Sequence, residues 1–193
     1  MLEAIKQQQK PMYAPKEYIA FPNALTKEQC QEILDYTEGK WESAETVAKT
    51  KEISGRIRQS DVVWCTKQKF FQMVDGLVND ANSVADWNFQ TDAIEDLQIT
   101  RYKKGGFFNY HADTNGFTRL SSTNKVRKLS VSIILNDEFE GGEFEFLGHQ
   151  KPIETNGVGT VIIFPSYMVH RVRPIKNGTR YSLVAWICGE PFV

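Results

Sequence analysis

The stretch Leu97-Gln-Ile-Thr-Arg-Tyr-Lys-Lys-Gly-Gly-Phe-Phe-Asn-Tyr-His-Ala-Asp113 sets the character of the second half of the chain. Leu97 to Tyr102 alternates with a period of two, as a half-buried strand does, and Gly105-Gly106 reads as a turn before a second strand, Phe107 to Asp113. The same pattern continues through Lys128 to Asn136, Glu143 to Leu147, Thr160 to Phe164, Val169 to Arg173 and Arg180 to Cys188. Gly141-Gly142, Asn156-Gly157 and Asn177-Gly178 punctuate these strands as turns, and no helical pattern intervenes to support a parallel sheet. Consecutive antiparallel strands in this number predict a sandwich or jelly roll.

The first half is patterned differently. Thr26-Lys-Glu-Gln29 reads as a capping box, with Cys30, Ile33 and Leu34 behind it at helical spacing, so a helix is expected from Lys27 to Thr37. Phe70, Met73, Val74, Leu77, Val78 and Ala81 recur with a period near 3.6, which predicts an amphipathic helix ending around Ala85. Lys40 to Asp61 is polar and charged, and reads either as an exposed strand pair or as a long loop. The expected architecture is mainly β with supporting helices, an α+β arrangement of one domain over 1–193. Residues 1–95 would form its helical support region and 96–193 its β core. No repeat is visible, and low complexity is confined to the three glutamines at 7–9.

The 193 residues, 41% hydrophobic and 12% aromatic, suffice for one well-filled core. With 23 basic against 24 acidic residues, no whole-chain field favours nucleic acid or an anionic membrane, and neither is expected as a partner. Cys30, Cys65 and Cys188 are too few and too scattered for a disulfide framework, and fit reduced, buried thiols. The first ten residues lack an apolar signal region, and no apolar run approaches membrane-spanning length. A cytoplasmic location is the expectation.

His111-Ala-Asp113 carries one of only three histidines. Residues i and i+2 of a strand point to one face, so this imidazole and carboxylate can converge on one ion. His170, on another expected strand, would complete two histidines and one carboxylate, the facial set that leaves open positions on non-haem iron(II). Alone, the tripeptide also fits a packing histidine near a turn acid. Arg180 adds context: in Arg180-Tyr-Ser-Leu-Val-Ala-Trp186 it shares a face with Ser182, Val184 and Trp186. A guanidinium in that core-facing row needs an anion, and a bidentate carboxylate would satisfy it. The alternatives are that Arg180 reaches solvent or pairs with Glu143 or Glu145.

With these residues in view, Leu97 to Phe192 resembles the prolyl 4-hydroxylase-like branch of the Fe(II)/2-oxoglutarate-dependent oxygenases, including PKHD-type and phage-encoded members. The likeness is carried by Leu97-Gln-Ile-Thr-Arg-Tyr102, His111-Ala-Asp113, Leu135-Asn-Asp ahead of Gly141-Gly-Glu143, Gly159-Thr-Val-Ile-Ile-Phe-Pro165, His170-Arg-Val-Arg-Pro174 and Arg180-Tyr-Ser182, in that order. Asn23 to Cys30 matches the branch's helical support more loosely. The resemblance implies a cupin-like double-stranded β-helix, a jelly roll whose interior holds Fe(II) on His111, Asp113 and His170. Arg180 would pair with the distal carboxylate of 2-oxoglutarate, Ser182 and Tyr102 would donate to it, and Trp186 would wall the pocket. The implied reaction is hydroxylation by O2 with release of succinate and CO2, ascorbate being the optional reductant. Retention of Asp113 sets the chain apart from halogenating relatives, which lack this carboxylate. Phe108 is a departure, since many relatives carry a tyrosine there. The implied partner is a peptide, with peptidyl proline placed slightly ahead of a free small molecule.

Three rival readings bear on the same residues. A non-catalytic jelly-roll module with a vestigial metal site would bind without turnover. A nucleic-acid demethylase would need a basic groove. A zinc hydrolase can use two histidines and an acid but has no use for Arg180. Finally, the loops 114–128 and 40–61 are candidates for substrate selection; Arg56, Arg58 and Arg119 there read as solvated charge before they read as substrate contacts. His149 reads as structural or exposed.

Overall fold

The computed structural model describes residues 16–44, 57–114, 125–153 and 157–192. Helix α1 spans Lys27–Asp35. Its capping box forms as the sequence predicts: Gln29 N–H donates to Thr26 Oγ1 at 3.2 Å and Thr26 N–H to Gln29 Oε1 at 2.8 Å. Such a cap stabilises a helix by about 1 kcal/mol. Helix α2 spans Gln68–Val84 and buries Phe70, Val74, Val78 and Ala81, the apolar stripe read from its period.

The strands in chain order are β1 Ile19–Phe21, β2 Glu42–Ser43, β3 Arg58–Gln59, β4 Asp61–Cys65, β5 Ala93–Ile94, β6 Leu97–Tyr102, β7 Phe107–His111, β8 Val126–Ile134, β9 Phe139–Gly141, β10 Phe144–Phe146, β11 Val161–Pro165, β12 His170–Val172, β13 Ile175–Gly178 and β14 Arg180–Gly189. A large sheet runs β1-β11-β8-β14-β6-β4-β2, with β5 also pairing β14. A small sheet runs β10-β12-β7-β3, and β13 pairs β9 separately. Every pairing is antiparallel.

The structure sharpens two sequence expectations and changes a third. Gly105-Gly106 is a turn as read, with Gly106 N–H donating to Lys103 O at 2.7 Å, but among the described residues no pairing joins strands adjacent in the chain, so the turn does not close a hairpin. It carries the backbone from β6 in the large sheet to β7 in the small one, anchored by Gly105 N–H to Ile175 O at 2.8 Å and Ile175 N–H to Gly106 O at 3.0 Å. The support region is not only helical, for β1, β2, β4 and β5 extend the large sheet and β3 the small one. Of the segment Lys40 to Asp61, the described part contains strand: Glu42 and Ser43 oppose Val62 and Asp61. Residues 45–56 lie outside the described residues.

Alternation along the large sheet sorts its side chains between two cores. Leu97, Ile99, Leu129, Val131, Ile133, Val161, Ile163, Leu183 and Ala185 cluster with Cys30 and Ile33 of α1 and Phe70, Val74, Val78 and Ala81 of α2. The opposite face of the same strands contributes Tyr102, Ile162 and Phe164, which pack with Phe144, Phe146 and Val172 of the small sheet. Each fully buried Leu, Ile or Phe contributes roughly 1.5–3 kcal/mol. The helices thus fix the curvature of the large sheet from outside, and the space between the sheets is left for a cavity.

Gly159 joins the N-terminal segment to this sheet. It adopts φ +80°, donates to Ile134 O at 2.7 Å, and accepts from Leu25 N–H at 3.1 Å, so a Cβ on it would lie only 1.9 Å from Leu25 O. Gly159→Ala is expected to cost about 2–5 kcal/mol, combining left-handed strain with an overpacking clash. Gly39, at φ +70° with nothing near its Cβ, provides the control. Thermal melts of both alanine variants check this: a Gly159→Ala loss no larger than that of Gly39→Ala would refute the clash.

Candidate metal centre

Strands β7 and β12 pair with His111 directly opposite His170, which brings the two imidazoles to 4.3 Å between ring centroids. His111 Nε2 lies 3.6 Å from Asp113 Oδ1 and His170 Nε2 3.8 Å from Asp113 Oδ2. The ligating atoms of the three residues all lie within 4.8 Å of one another. Each ring uses its other nitrogen on the backbone: His111 Nδ1 is 2.8 Å from Asn109 O and His170 Nδ1 is 2.9 Å from Met168 O. A carbonyl only accepts, so Nδ1 carries the proton and the Nε2 lone pairs both face the carboxylate. That is the orientation a metal-binding histidine pair requires.

Asp113 reaches this position by a route the sequence did not indicate. Strand β7 ends at His111, so Asp113 is not held there by strand alternation. Instead the N–H groups of Asp113 and Thr114 both donate to Ser166 O, at 2.9 and 3.0 Å, and Ser130 Oγ donates to Asp113 Oδ2 at 2.6 Å. Ser130 is held in turn by Ser166 Oγ at 2.9 Å, and both serines are fully buried. Burial alone would raise the Asp113 carboxyl, but His170, His111 and the Ser130 hydroxyl outweigh it and hold the group well below the usual carboxylate range. Burial pushes His170 down, with Asp113 opposing, which favours the neutral imidazole a metal needs.

Ser130 therefore restrains one carboxylate oxygen and leaves the other to the metal site. Ser130→Ala is expected to weaken metal affinity about 10–100-fold, the usual cost of losing a hydrogen bond behind a ligand, while Ser130→Thr should recover most of it. Calorimetric titration with Mn(II) reads this directly, and an alanine variant that binds as tightly as the parent would remove Ser130 from the site.

Arg180 is 1% exposed and opens β14 opposite Tyr102. Its Nη1 donates to Ser182 Oγ at 3.1 Å, while its Nη2 is buried with no hydrogen-bond partner. The alternative partner Glu145 is committed elsewhere, to Arg171 at 2.6 Å and Arg173 at 2.7 Å. Gly142 makes room for the arginine stem, since a Cβ there would lie 3.0 Å from Arg180 Cδ and 2.4 Å from Ile175 Cδ1. Triad, Arg180, Ser182, Tyr102 and Trp186 all line one cavity, walled also by Phe144, Phe164, Val131, Val172 and Val184. Trp186 Nε1 is likewise buried without a partner.

Phe108 stacks on His111 with ring centroids 3.4 Å apart, so at this position the chain presents a ring face to the ligand and no hydroxyl. His149 stands apart from the triad, its ring against Tyr18 and Phe146 and its Nε2 2.8 Å from Glu17 Oε2. Arg58, read from sequence as solvated charge, is buried and lines the cavity. Its signal was hidden because it sits at the edge of a polar segment. Ser130 and Ser132 had a signal: they are the polar steps in the otherwise apolar run Leu129 to Ile134. Arg56, Arg119 and most of 114–128 lie outside the described residues.

Comparison with known proteins agrees with this geometry. Residues 97–188 match the family model of the 2OG-Fe(II) oxygenase superfamily. A PKHD-type hydroxylase of Delftia acidovorans is 35% identical over 95 residues, covering 46% of this chain and 41% of the relative. The chain thus spans about two fifths of that relative's length. The viral collagen prolyl hydroxylase of Paramecium Bursaria Chlorella virus-1, solved as its 2OG complex, superposes with a TM-score of 0.69 at 19% identity, covering 90% of this chain and 97% of that one. A prolyl hydroxylase of Trichoplax adhaerens, in complex with a hypoxia inducible factor peptide fragment, superposes with a TM-score of 0.69 at 18% identity, covering 89% and 83%. Residues 97–188, just under half of the chain, thus match the 2OG-Fe(II) oxygenase superfamily, and within it the likeness is to PKHD-type and prolyl hydroxylases.

Proposed function

We propose that the chain is a dioxygenase that uses Fe(II) and 2-oxoglutarate to hydroxylate an organic substrate, with peptidyl proline the first candidate. The observation carrying this reading is the orphaned Nη2 of Arg180, a residue lining the cavity that is also lined by the three converging metal-binding groups. A buried guanidinium with an open donor fits a carboxylate, and a triad with open positions fits a chelating keto acid. Bound there, iron and 2-oxoglutarate would supply an oxidant from O2 and leave succinate and CO2, with ascorbate as the added reductant.

The chain's own groups have defined tasks in this reading. His111 and His170 present Nε2, and Asp113 presents one carboxylate oxygen. Arg180 takes the far carboxylate of the keto acid in a fork, steadied by Ser182, with Tyr102 on the neighbouring strand. Phe144, Phe164, Val172 and Trp186 exclude water from around the reacting atoms. From β6 to β14 the chain passes repeatedly between the large and small sheets, with β9 and β13 pairing apart from both, which supports a double-stranded β-helix forming one domain with its two helices.

The peptide preference rests on relatives: the two solved neighbours are prolyl hydroxylases, and one holds a peptide. A panel of proline-rich and lysine-rich peptides, incubated with iron and 2-oxoglutarate and read by mass for one added oxygen, tests it. Modification of proline peptides alone is the expected outcome; succinate release without any modified peptide would move the substrate to a free small molecule. Cys30, Cys65 and Cys188 are free and buried, with burial pushing the Cys30 thiol up to about 11 and Cys188 to about 12, which fits the reduced cytoplasmic setting proposed for the chain. No described helix is long and apolar enough to cross a membrane.

A further inference from the structure

Among the described residues, the cavity contains one cation for which the proposed chemistry has no use. Arg58 is 8% exposed, and its guanidinium meets only neutral oxygens among the described residues: Nε donates to Ser60 Oγ at 2.7 Å, and Nη2 to Gln98 Oε1 at 2.8 Å and to Thr100 Oγ1 at 3.3 Å. Its Cζ lies 4.7 Å from the Phe108 ring, which itself stacks on His111. Arg58 is thus one aromatic ring away from a metal-binding imidazole. Arg58 and Gln98 also line a second groove, which opens beside the metal cavity and carries Glu42 and Trp64 on its walls. Glu42 forms no ion pair with Arg58.

Charge balance decides what this arrangement lacks. With a divalent metal and a dicarboxylate co-substrate in place, those two charges cancel each other, and Asp113 and Arg180 cancel as a second pair. The imidazoles are neutral. Among the described residues Arg58 then remains as one positive charge without a counterion, and neutral hydrogen bonds do not offset such a charge as a counterion does. Resting on the oxygenase reading above, we propose that Arg58, with Gln98 beside it, is a subsite for a carboxylate of the substrate. The substrate class is then one that carries a carboxylate near the oxidised C–H bond, entering along the groove between β4 and the cavity. An acidic residue of a peptide and a free carboxylic acid share this chemistry.

Calorimetry on the zinc-substituted protein, with 2-oxoglutarate saturating the Arg180 site, tests the subsite. The probes are N-acetylglycine for the free acid and a capped Gly-Pro-Asp-Gly peptide for the acidic residue, each beside its amide counterpart. At least one carboxylate should bind roughly tenfold or more tightly than its amide, and which of the two does so identifies the source. That preference should vanish in Arg58→Ala and return in part in Arg58→Lys, with circular dichroism checking that both variants fold. Equal binding of acid and amide by the parent protein, or a preference that survives Arg58→Ala, would overturn the subsite. The iron and 2-oxoglutarate absorption band is recorded on the same preparation. If that band forms and the acid preference is absent, the subsite alone fails; if no band forms, the oxygenase reading fails and the subsite with it.

Discussion

Arg180→Met is expected to make the protein without its co-substrate more stable while nearly abolishing 2-oxoglutarate binding. The two effects have opposite signs for one reason. Arg180 is 1% exposed, its Nη2 has no partner, and burial pushes its guanidinium pKa down, so the empty protein bears the desolvation of an unpaired charge. An apolar side chain of similar length removes that penalty, by about 1–4 kcal/mol on the precedent of buried ion pairs replaced by packed hydrophobic groups. Losing the partner of a buried carboxylate costs about 2–5 kcal/mol of binding, which is roughly 30- to several-thousand-fold in affinity. Arg180→Lys should fall between, since an ammonium cannot reproduce the two-pronged contact. Thermal melts without ligand, paired with calorimetric titration of 2-oxoglutarate into the metal-loaded protein, read both signs. A variant that binds 2-oxoglutarate as well as the parent would remove Arg180 from the co-substrate site.

The second large effect is expected at the triad. His170→Ala removes one metal-binding group of three and leaves the Asp113 carboxylate buried beside a single imidazole, without the neighbour that does most to hold its pKa down. Metal affinity should fall by more than about a hundredfold, beyond what loss of a supporting hydrogen bond costs. Linkage makes this visible in stability: a metal present at a hundred times its dissociation constant stabilises by about 2.7 kcal/mol. The parent protein should therefore melt higher with Mn(II), and the variant should not. Equal metal-induced shifts in both proteins would mean that the ion binds elsewhere.

What was legible in the sequence was whatever local periodicity fixes. Strand β6 occupies Leu97–Tyr102 as read, α1 starts behind its capping box, and α2 buries the face its 3.6-residue period marked. His111, His170 and Arg180 were legible because each sits at a fixed step of a strand, and the cross-strand register then sets the two imidazoles side by side. The rest depends on contacts distant in sequence. Asp113 is positioned by Ser166 and Ser130 from two other strand regions, which no i, i+2 rule contains. Strand β9 has three residues and none buried, and β13 is mostly exposed, so alternation cannot mark them. Glycine doublets signalled changes of direction, but a tight turn and a crossing between sheets need the same backbone freedom. Arg58 was misread because its burial comes from Phe108, Gln98 and Thr100, all far along the chain.

The central claim is that one cavity holds a ferrous ion on His111, Asp113 and His170 and a keto acid against Arg180. Anaerobic titration of the protein with Fe(II) and then 2-oxoglutarate, followed by visible absorption, tests it most directly. The account expects a charge-transfer band that appears only with both additions, is lost in His111→Ala, and is weakened in Arg180→Ala. If both are supplied and no band develops in the parent protein, the triad does not assemble an iron and keto-acid centre, and a jelly-roll binding module with a vestigial metal site becomes the better description.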